Sequence, residues 1–346
     1  MNSKEYGSDF HIISERRTLT SQIDNYLPDS TNYYLSGRAA LYAILEYGIS
    51  EFGWNTLYLP SYYCKDVNKY IDKLPIKVEE YQFNPFCNNF NFEDYFNDIA
   101  TNVIINVDYF GLTCLDFSSY QNLMVIDDFT HNLERVKDST AHYVFGSLRK
   151  ILPIPSGGFL GSNKNMFTPS GKDTDIGFLA SIKKLAGMCL KKDFIDTGRG
   201  EKNKFRELYQ EGESLLNLST GSASMPLLSE SFLKELDVKF ILSSKRENIK
   251  QGLSLLTVDQ SIILNRGEND LGLIFILENK EERDSFKSFL VSSRIYPAIL
   301  WPNQSNKEDI KAENKMLFIH VDYRYGKEDI VYITNKINLF FQDEKF

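Results

Sequence analysis

Residues 123–161 read LMVIDDFTHNLERVKDSTAHYVFGSLRKILPIPSGGFLG. Three short apolar runs stand out. LMVIDD (123–128) closes on two acids, HYVFGS (142–147) on a glycine and a serine, and GGFLG (157–161) opens on two glycines. Each has the length of a strand and is bounded by charges or turn residues. Upstream, TLYLP (56–60), IKVEEYQF (76–83) and NVIINVDYFG (102–111) repeat the pattern. Leu41, Ile44, Leu45 and Gly48 fall at helical spacing, which predicts a helix starting near Gly37, and SYYCKDVNKYIDKL reads as the next one. Strand-length runs separated by helix-length stretches predict an α/β fold with a mostly parallel sheet flanked by helices. Such sheets place their ligands at strand ends.

From about residue 173 the pattern changes. DIGFLASIKKLAGMCLKK, KFRELYQEGESLLNLS and a longer stretch, SESFLKELDVKFILSSKRENIKQGLSLL, read as helices. SIILN (261–265), LGLIFILEN (271–279) and MLFIHVD read as strands, with helices over KEERDSFKSFLVSS and EDIVYITNKINLFF. The reading is a large domain over 1–240 and a smaller C-terminal α+β domain over 241–346, with the long helix as the bridge.

The 346 residues are 42% apolar and 25% charged, the balance of an ordinary globular chain. A net charge of −8 argues against general nucleic-acid binding and leaves room for a local basic pocket that takes a phosphorylated small molecule. Cys64, Cys87, Cys114 and Cys189 form no Cys-x-x-Cys pair and no zinc spacing with His11, His131, His142 and His320, so neither a metal site nor a disulfide framework is expected. A reduced, cytoplasmic setting is the expectation. No secretory apolar region and no run of roughly 18 apolar residues is present, which predicts a soluble protein with no membrane span.

Four local features carry chemistry. Ser36-Gly37-Arg38 stands at the predicted helix start, where free N–H groups and the helix dipole suit a phosphate, although a plain serine cap is the commoner meaning of such a motif. Asp127-Asp128 ends a strand, where two acids can bind a metal, cap a helix or pair with a cationic ring nitrogen; His131 follows three residues on. Lys150, in Ser147-Leu148-Arg149-Lys150, follows a buried strand and is a candidate imine former, since burial and a nearby cation make an amine nucleophilic. Pro155-Ser156-Gly157-Gly158 allows a tight turn beside it.

In that order, SGRAAL, LPSYYC, NVDYFG, VIDDFTH and SLRKILPIPSGGFL resemble the DegT/DnrJ/EryC1/StrS sugar aminotransferases, pyridoxal-phosphate enzymes of fold type I. The resemblance spans residues 33–162 and continues more weakly through IYPAILWP and LFIHVDYRYGKEDI. It implies that Lys150 holds pyridoxal 5'-phosphate as an imine and that Asp128 grips the pyridinium nitrogen. Gly37 and Arg38 would offer backbone N–H groups to the phosphate, with Ser147 adding a hydroxyl. His131 would stand beside the ring oxygen, and Cys64 or Tyr63 would cover the ring face. Tyr109, Trp301 and Arg324 become candidates for substrate contact, Arg324 for a donor carboxylate or a diphosphate and Trp301 for stacking on a sugar or base, although a solvated surface Arg and a partly buried core Trp are the commoner meanings. The implied reaction moves an amino group from an amino acid, often glutamate, to a keto sugar on a nucleotide carrier, as in surface polysaccharide assembly, within a homodimer that shares its active sites.

Departures from the family pattern fall on the substrate side. Pro-Ser-Gly-Gly replaces the usual Gly-Glu-Gly-Gly, Ile151 replaces an Asn, Arg38 replaces a Thr, and the serine stands three residues before the lysine rather than five. Two rival readings follow. One is another pyridoxal-phosphate sugar enzyme such as a dehydratase, in which the family lysine is commonly a His. The other is a catalytically degenerate member with a binding or regulatory role. Neither a Gly-x-Gly-x-x-Gly nor a P-loop motif is present.

Overall fold

The computed structural model describes residues 5–13, 18–86, 96–112, 115–264 and 271–343. Cys87, Cys114 and the end of the expected strand 261–265 lie outside these residues. Among the described residues, β1 (Asn32–Tyr34), β2 (Thr56–Pro60), β3 (Lys77–Tyr81), β4 (Asn102–Val107), β5 (Met124–Asp128), β6 (Tyr143–Gly146) and β7 (Gly158–Gly161) form one sheet in the order β1-β7-β6-β5-β4-β2-β3. The five strands from β3 to β6 pair in parallel; β7 runs antiparallel to both β6 and β1. Every residue of β4 is buried, as an apolar strand covered on both faces requires. β1 was not read from the sequence: three residues are too few to show a period.

Helix α1 (Gly37–Phe52) packs along this sheet. Ser36 caps it, its Oγ accepting from the Ala39 amide at 3.3 Å, and Gly53 ends it in the left-handed conformation. α2 (Lys65–Ile71) connects β2 to β3. After β7 come α3 (Asp175–Thr197) and α4 (Lys202–Leu218), which pack on each other as a hairpin. The long helix expected next is two: α5 (Leu227–Glu235) and α6 (Val238–Leu255). The break falls at Leu236–Asp237, where Asp237 accepts from the Phe240 amide at 2.9 Å and starts a fresh helix.

The second unit pairs β8 (Leu273–Ile276) with β9 (Met316–Ile319), antiparallel, against α7 (Lys280–Ser292), α8 (Lys307–Lys315) and α9 (Lys327–Asp343). The strand expected at 261–265 is instead a 3-10 turn over Gln260–Ile262 followed by a single bridge from Ile263 to Phe275. α6 spans the two cores: Val238, Ile241 and Leu242 pack beneath the large sheet, and Ile249 joins the core of the small one.

The first residues stitch the two units. Tyr6 bridges to Ile295, and the Gly7 amide donates to Tyr325 Oη. Arg324 donates to the carbonyls of Ser8 and Asp9, and Lys191 of α3 donates to Ser8 Oγ and to the Asp9 carbonyl.

Candidate active site

Strand β5 brings its two acids to opposite faces, because side chains alternate along a strand. Asp127 faces away from the site. Asn106 Nδ2 and Ser139 Oγ donate to its two oxygens at 2.8 and 2.5 Å, so its role is to hold the sheet and the following turn together. Asp128 faces a cavity of about 400 Å³. Its Oδ2 accepts from Tyr63 Oη at 2.6 Å and its Oδ1 from the Thr130 amide at 2.8 Å. Burial pushes the Asp128 carboxyl up from its ordinary value; these hydrogen bonds oppose the shift.

The lysine turn leaves β6 on the neighbouring strand. Asp128 is in register with Phe145, so the end of β6 emerges beside the acid. Gly146 then closes the strand, the Ser147 amide donates to Thr130 Oγ1 at 3.2 Å, and a 3-10 turn over Leu148–Lys150 carries the lysine into the cavity. Thr130, which the sequence did not single out, thus ties the acid to the lysine turn. Lys150 is exposed, meeting solvent through the cavity it lines. Its amine has no hydrogen-bond or ion-pair partner among the described residues. The neighbouring Arg149 charge, and then burial, lower its affinity for a proton, with Glu213 opposing.

The start of α1 forms a third wall. A Cβ on Gly158 would lie 2.3 Å from the Ser36 carbonyl carbon and 2.4 Å from the Gly37 nitrogen. Only a glycine there lets the sheet approach the helix end so closely. A Cβ on Gly37 would in turn come within 3.2 Å of Gly146 and Ser147. Ser36 is the plain cap that the commoner meaning supposes, yet Ser36, Gly37 and Arg38 also line the cavity. The first-turn amides of Gly37 and Arg38 have no acceptor among the described residues, as expected at a helix start. Arg38 also lies over the Tyr70 ring, 5.6 Å from its centroid.

The small unit closes the fourth side with Trp301, Phe318 and His320. Trp301 stacks on His131 at 5.2 Å and meets Tyr63 edge-on at 5.3 Å. Burial pushes the His131 imidazole down to about 3, so it is neutral at pH 7, and its Nδ1 has no partner within the protein. His320, a second unforeseen member, is held down to about 4 by burial, with Asp322 opposing.

Of the residues proposed from the sequence, Gly37, Arg38, Tyr63, Cys64, Asp128, His131, Ser147, Lys150 and Trp301 therefore line one cavity. Tyr109 and Arg324 do not. Tyr109 is buried behind it, its hydroxyl donating to the Tyr62 carbonyl at 2.7 Å and its ring 5.7 Å from that of Trp301. Arg324 is neither a surface residue nor a cavity residue. Its side chain is 5% exposed and forks onto Asp322, with Nε–Oδ1 at 2.8 Å and Nη2–Oδ2 at 2.7 Å. Among the described residues no group of three His, Cys, Asp or Glu is placed to hold a metal, and Cys64 and Cys189 are free thiols. No helix among the described residues is long and apolar enough to cross a membrane.

The cavity suits pyridoxal phosphate on its own chemistry. It offers an unpartnered amine, a buried carboxylate with two supporting donors, an orphaned imidazole nitrogen and a helix start with free amides. The fold is shared with solved proteins across nearly the whole chain. Spr1654 of Streptococcus pneumoniae, known in apo, PMP and PLP forms, is 12% identical with a TM-score of 0.62 over 99% of this chain and 98% of that one. PseC of Helicobacter pylori, an aminotransferase of pseudoaminic acid biosynthesis, is 12% identical with a TM-score of 0.59 over 98% of this chain and 100% of that one. A DegT DnrJ EryC1 StrS aminotransferase from Brucella abortus is 14% identical with a TM-score of 0.59 over 92% and 88%. No family model matches the sequence, and no curated protein does.

Proposed function

We propose that this chain is a pyridoxal-phosphate-dependent aminotransferase of the DegT/DnrJ/EryC1/StrS type, transferring nitrogen from an amino acid, with glutamate the first choice, to a keto sugar on a nucleotide carrier. The observation that carries the reading is the convergence of Lys150, Asp128, His131 and the start of α1 on one cavity. The likeness in fold to sugar aminotransferases supports it.

Bound at Lys150, pyridoxal phosphate supplies an electron-accepting ring that takes the amino group of one substrate and yields it to the next. The amides of Gly37 and Arg38 and the positive end of α1 would hold the phosphate, with the Ser147 hydroxyl beside them. Asp128, its carboxylate fixed by Tyr63 and Thr130, would keep the ring nitrogen protonated by charge pairing. Neutral His131 would stand beside the ring oxygen. Cys64 and Trp301 form the walls. Lys150 Nζ, whose proton affinity the Arg149 charge and burial lower, would be the group that takes and returns a proton at the substrate carbon.

We also place the enzyme in the cytoplasm as a homodimer. The exposed apolar side chains of Ile176, Phe178, Leu179 and Ile182 on α3 support the second part.

The experiment is a cofactor spectrum followed by borohydride and peptide mapping. The expected result is a visible band that borohydride fixes onto Lys150, with glutamate-dependent amination of a nucleotide keto sugar. A Lys150→Ala protein with full turnover would reject the reading. Loss of water from the sugar without nitrogen transfer would favour the dehydratase instead, and no turnover with any donor would favour the degenerate member.

A further inference from the structure

The hairpin of α3 and α4 delivers charges to the cavity wall that the reading above leaves without a task. Glu213 of α4 lines the cavity and accepts from two cations, Arg149 Nη2 at 2.8 Å and Lys184 Nζ at 2.8 Å. The Arg149 and Lys184 side chains are 12% and 11% exposed. Burial opposes a charge on Glu213, yet Arg149 and Lys184 outweigh it and hold the carboxyl well below its ordinary range. Arg149, Lys184 and Glu213 thus carry one surplus positive charge beside Lys150, with the Glu213 side chain 39% exposed. A half-buried cluster with a surplus positive charge favours an anion that reaches it through the cavity.

Arg149 is the cation placed to receive that anion. It lines the cavity and directly precedes Lys150. Nη2 is taken by Glu213, while Nη1 has no protein partner among the described residues. Its charge is the foremost influence on the Lys150 amine, so the two groups lie within electrostatic reach. Lys184 holds the other oxygen of Glu213, which fixes the carboxylate and through it Nη2 of the guanidinium.

We propose that Arg149 is the carboxylate receptor of this cavity, reading the α-carboxylate of the amino-acid donor, and that Glu213 and Lys184 hold its guanidinium in place for that contact. The proposal rests on the pyridoxal-phosphate reading and assigns to one residue the recognition of its donor. An α-amino acid carries its carboxylate one carbon from its nitrogen, so a receptor must stand beside the lysine that the nitrogen displaces. A guanidinium anchored through Nη2, with Nε buried, presents its free Nη1 to a carboxylate entering the cavity. Arg324, the candidate from the sequence, commits its donors to Asp322, Ser8 and Asp9. The cofactor phosphate is the other anion that enters this cavity, and it has the start of α1.

The test uses the full chain loaded with pyridoxal phosphate. Two probes are titrated against the visible band: 2-methylglutamate and 4-amino-4-methylpentanoate, which carries a methyl in place of the α-carboxylate; neither has a hydrogen on the amine-bearing carbon, so neither is transaminated. The unchanged protein is expected to prefer the first by about tenfold or more, the value of a hydrogen bond between charged groups. Arg149→Met should erase that preference, and Arg149→Lys should keep part of it. Lys184 still pairs with Glu213 in both variants, and a borohydride-fixed band on Lys150 shows that the site is intact. A preference that survives in Arg149→Met overturns the proposal. So does a fall in the affinity for pyridoxal phosphate relative to pyridoxal in that variant, which would assign Arg149 to the phosphate. If the unchanged protein forms no band at all, the pyridoxal-phosphate reading itself has failed, and this proposal falls with it.

Discussion

Tyr63 Oη donates to Asp128 Oδ2 at 2.6 Å, inside the range of a hydroxyl bonded to an ionised carboxylate. Tyr63 therefore supports the acid rather than merely lining the cavity, and Gln304 pins its backbone by donating to its carbonyl at 3.0 Å. Tyr63→Phe keeps the edge contact with Trp301 and loses the hydrogen bond. Affinity for pyridoxal phosphate, followed by absorbance, should fall by about ten- to a hundredfold. An unchanged dissociation constant would show that Asp128 needs no such support.

The contact between Gly158 and the start of α1 is backbone against backbone and cannot be relieved by a rotamer change. Gly158→Ala should therefore cost about 3 kcal/mol. Gly53 makes the comparison: it has φ +67 and nothing within 4 Å of an added Cβ, so Gly53→Ala should cost only about 1 kcal/mol of backbone strain. Urea denaturation of the two variants measures both, and equal losses would contradict the close approach.

His131 binds its proton at about 3 in the folded chain, against an ordinary 6.5. The unfolded chain thus binds more protons between these values, and the contribution of His131 to stability, complete above pH 6.5, is lost as the pH falls toward 3. Asp108 acts with the opposite sign: burial raises it to about 6 from 3.8, with Arg135 opposing, so it favours the folded state on the acid side. Comparing His131→Phe with the unchanged protein isolates the histidine. Between pH 6.5 and 5 the unchanged protein should lose up to about 1.4 kcal/mol per pH unit more than the variant. Parallel curves would mean that His131 is charged when folded.

Ile176, Phe178, Leu179 and Ile182, in the first two turns of α3, are 38–55% exposed, with Phe178 the most open. If this face pairs two copies, Phe178→Glu combined with Leu179→Glu should convert dimer to monomer in sedimentation without loss of helix content. A monomer in the unchanged protein at working concentration would remove the homodimer.

The sequence was most informative where chemistry is local. Lys150, Asp128, Gly37 and His131 were legible because a strand end, a turn and a helix start each carry short-range signals, and their convergence follows from parallel strands that all end on one side. Arg149 lay beside the lysine but had no meaning until Glu213, 64 residues further on, was brought to it by the hairpin. Thr130 was hidden within VIDDFTH because its two contacts, to Asp128 and Ser147, depend on the register of β5 and β6. Arg324 was misplaced for the same reason: its partners Ser8 and Asp9 stand at the opposite end of the chain. The break between α5 and α6 is a local signal that was present and passed over, since Asp237 is a strong cap residue in an otherwise helical run.

Cutting the chain after residue 13 would leave both units with their strands and helices complete. Arg324 would lose two of its acceptors and its ring contact with Phe10, Lys191 both of its own, and Tyr325 the amide of Gly7. Lys191 would then face the Arg324–Asp322 pair across an empty seam. The shortened protein should keep its helix content while the seam between its two lobes loosens, and the wall holding Trp301 and His320 would move away from Lys150 with it. The described residues before position 14, none of which lines the cavity, would in this way govern whether the cleft is shut.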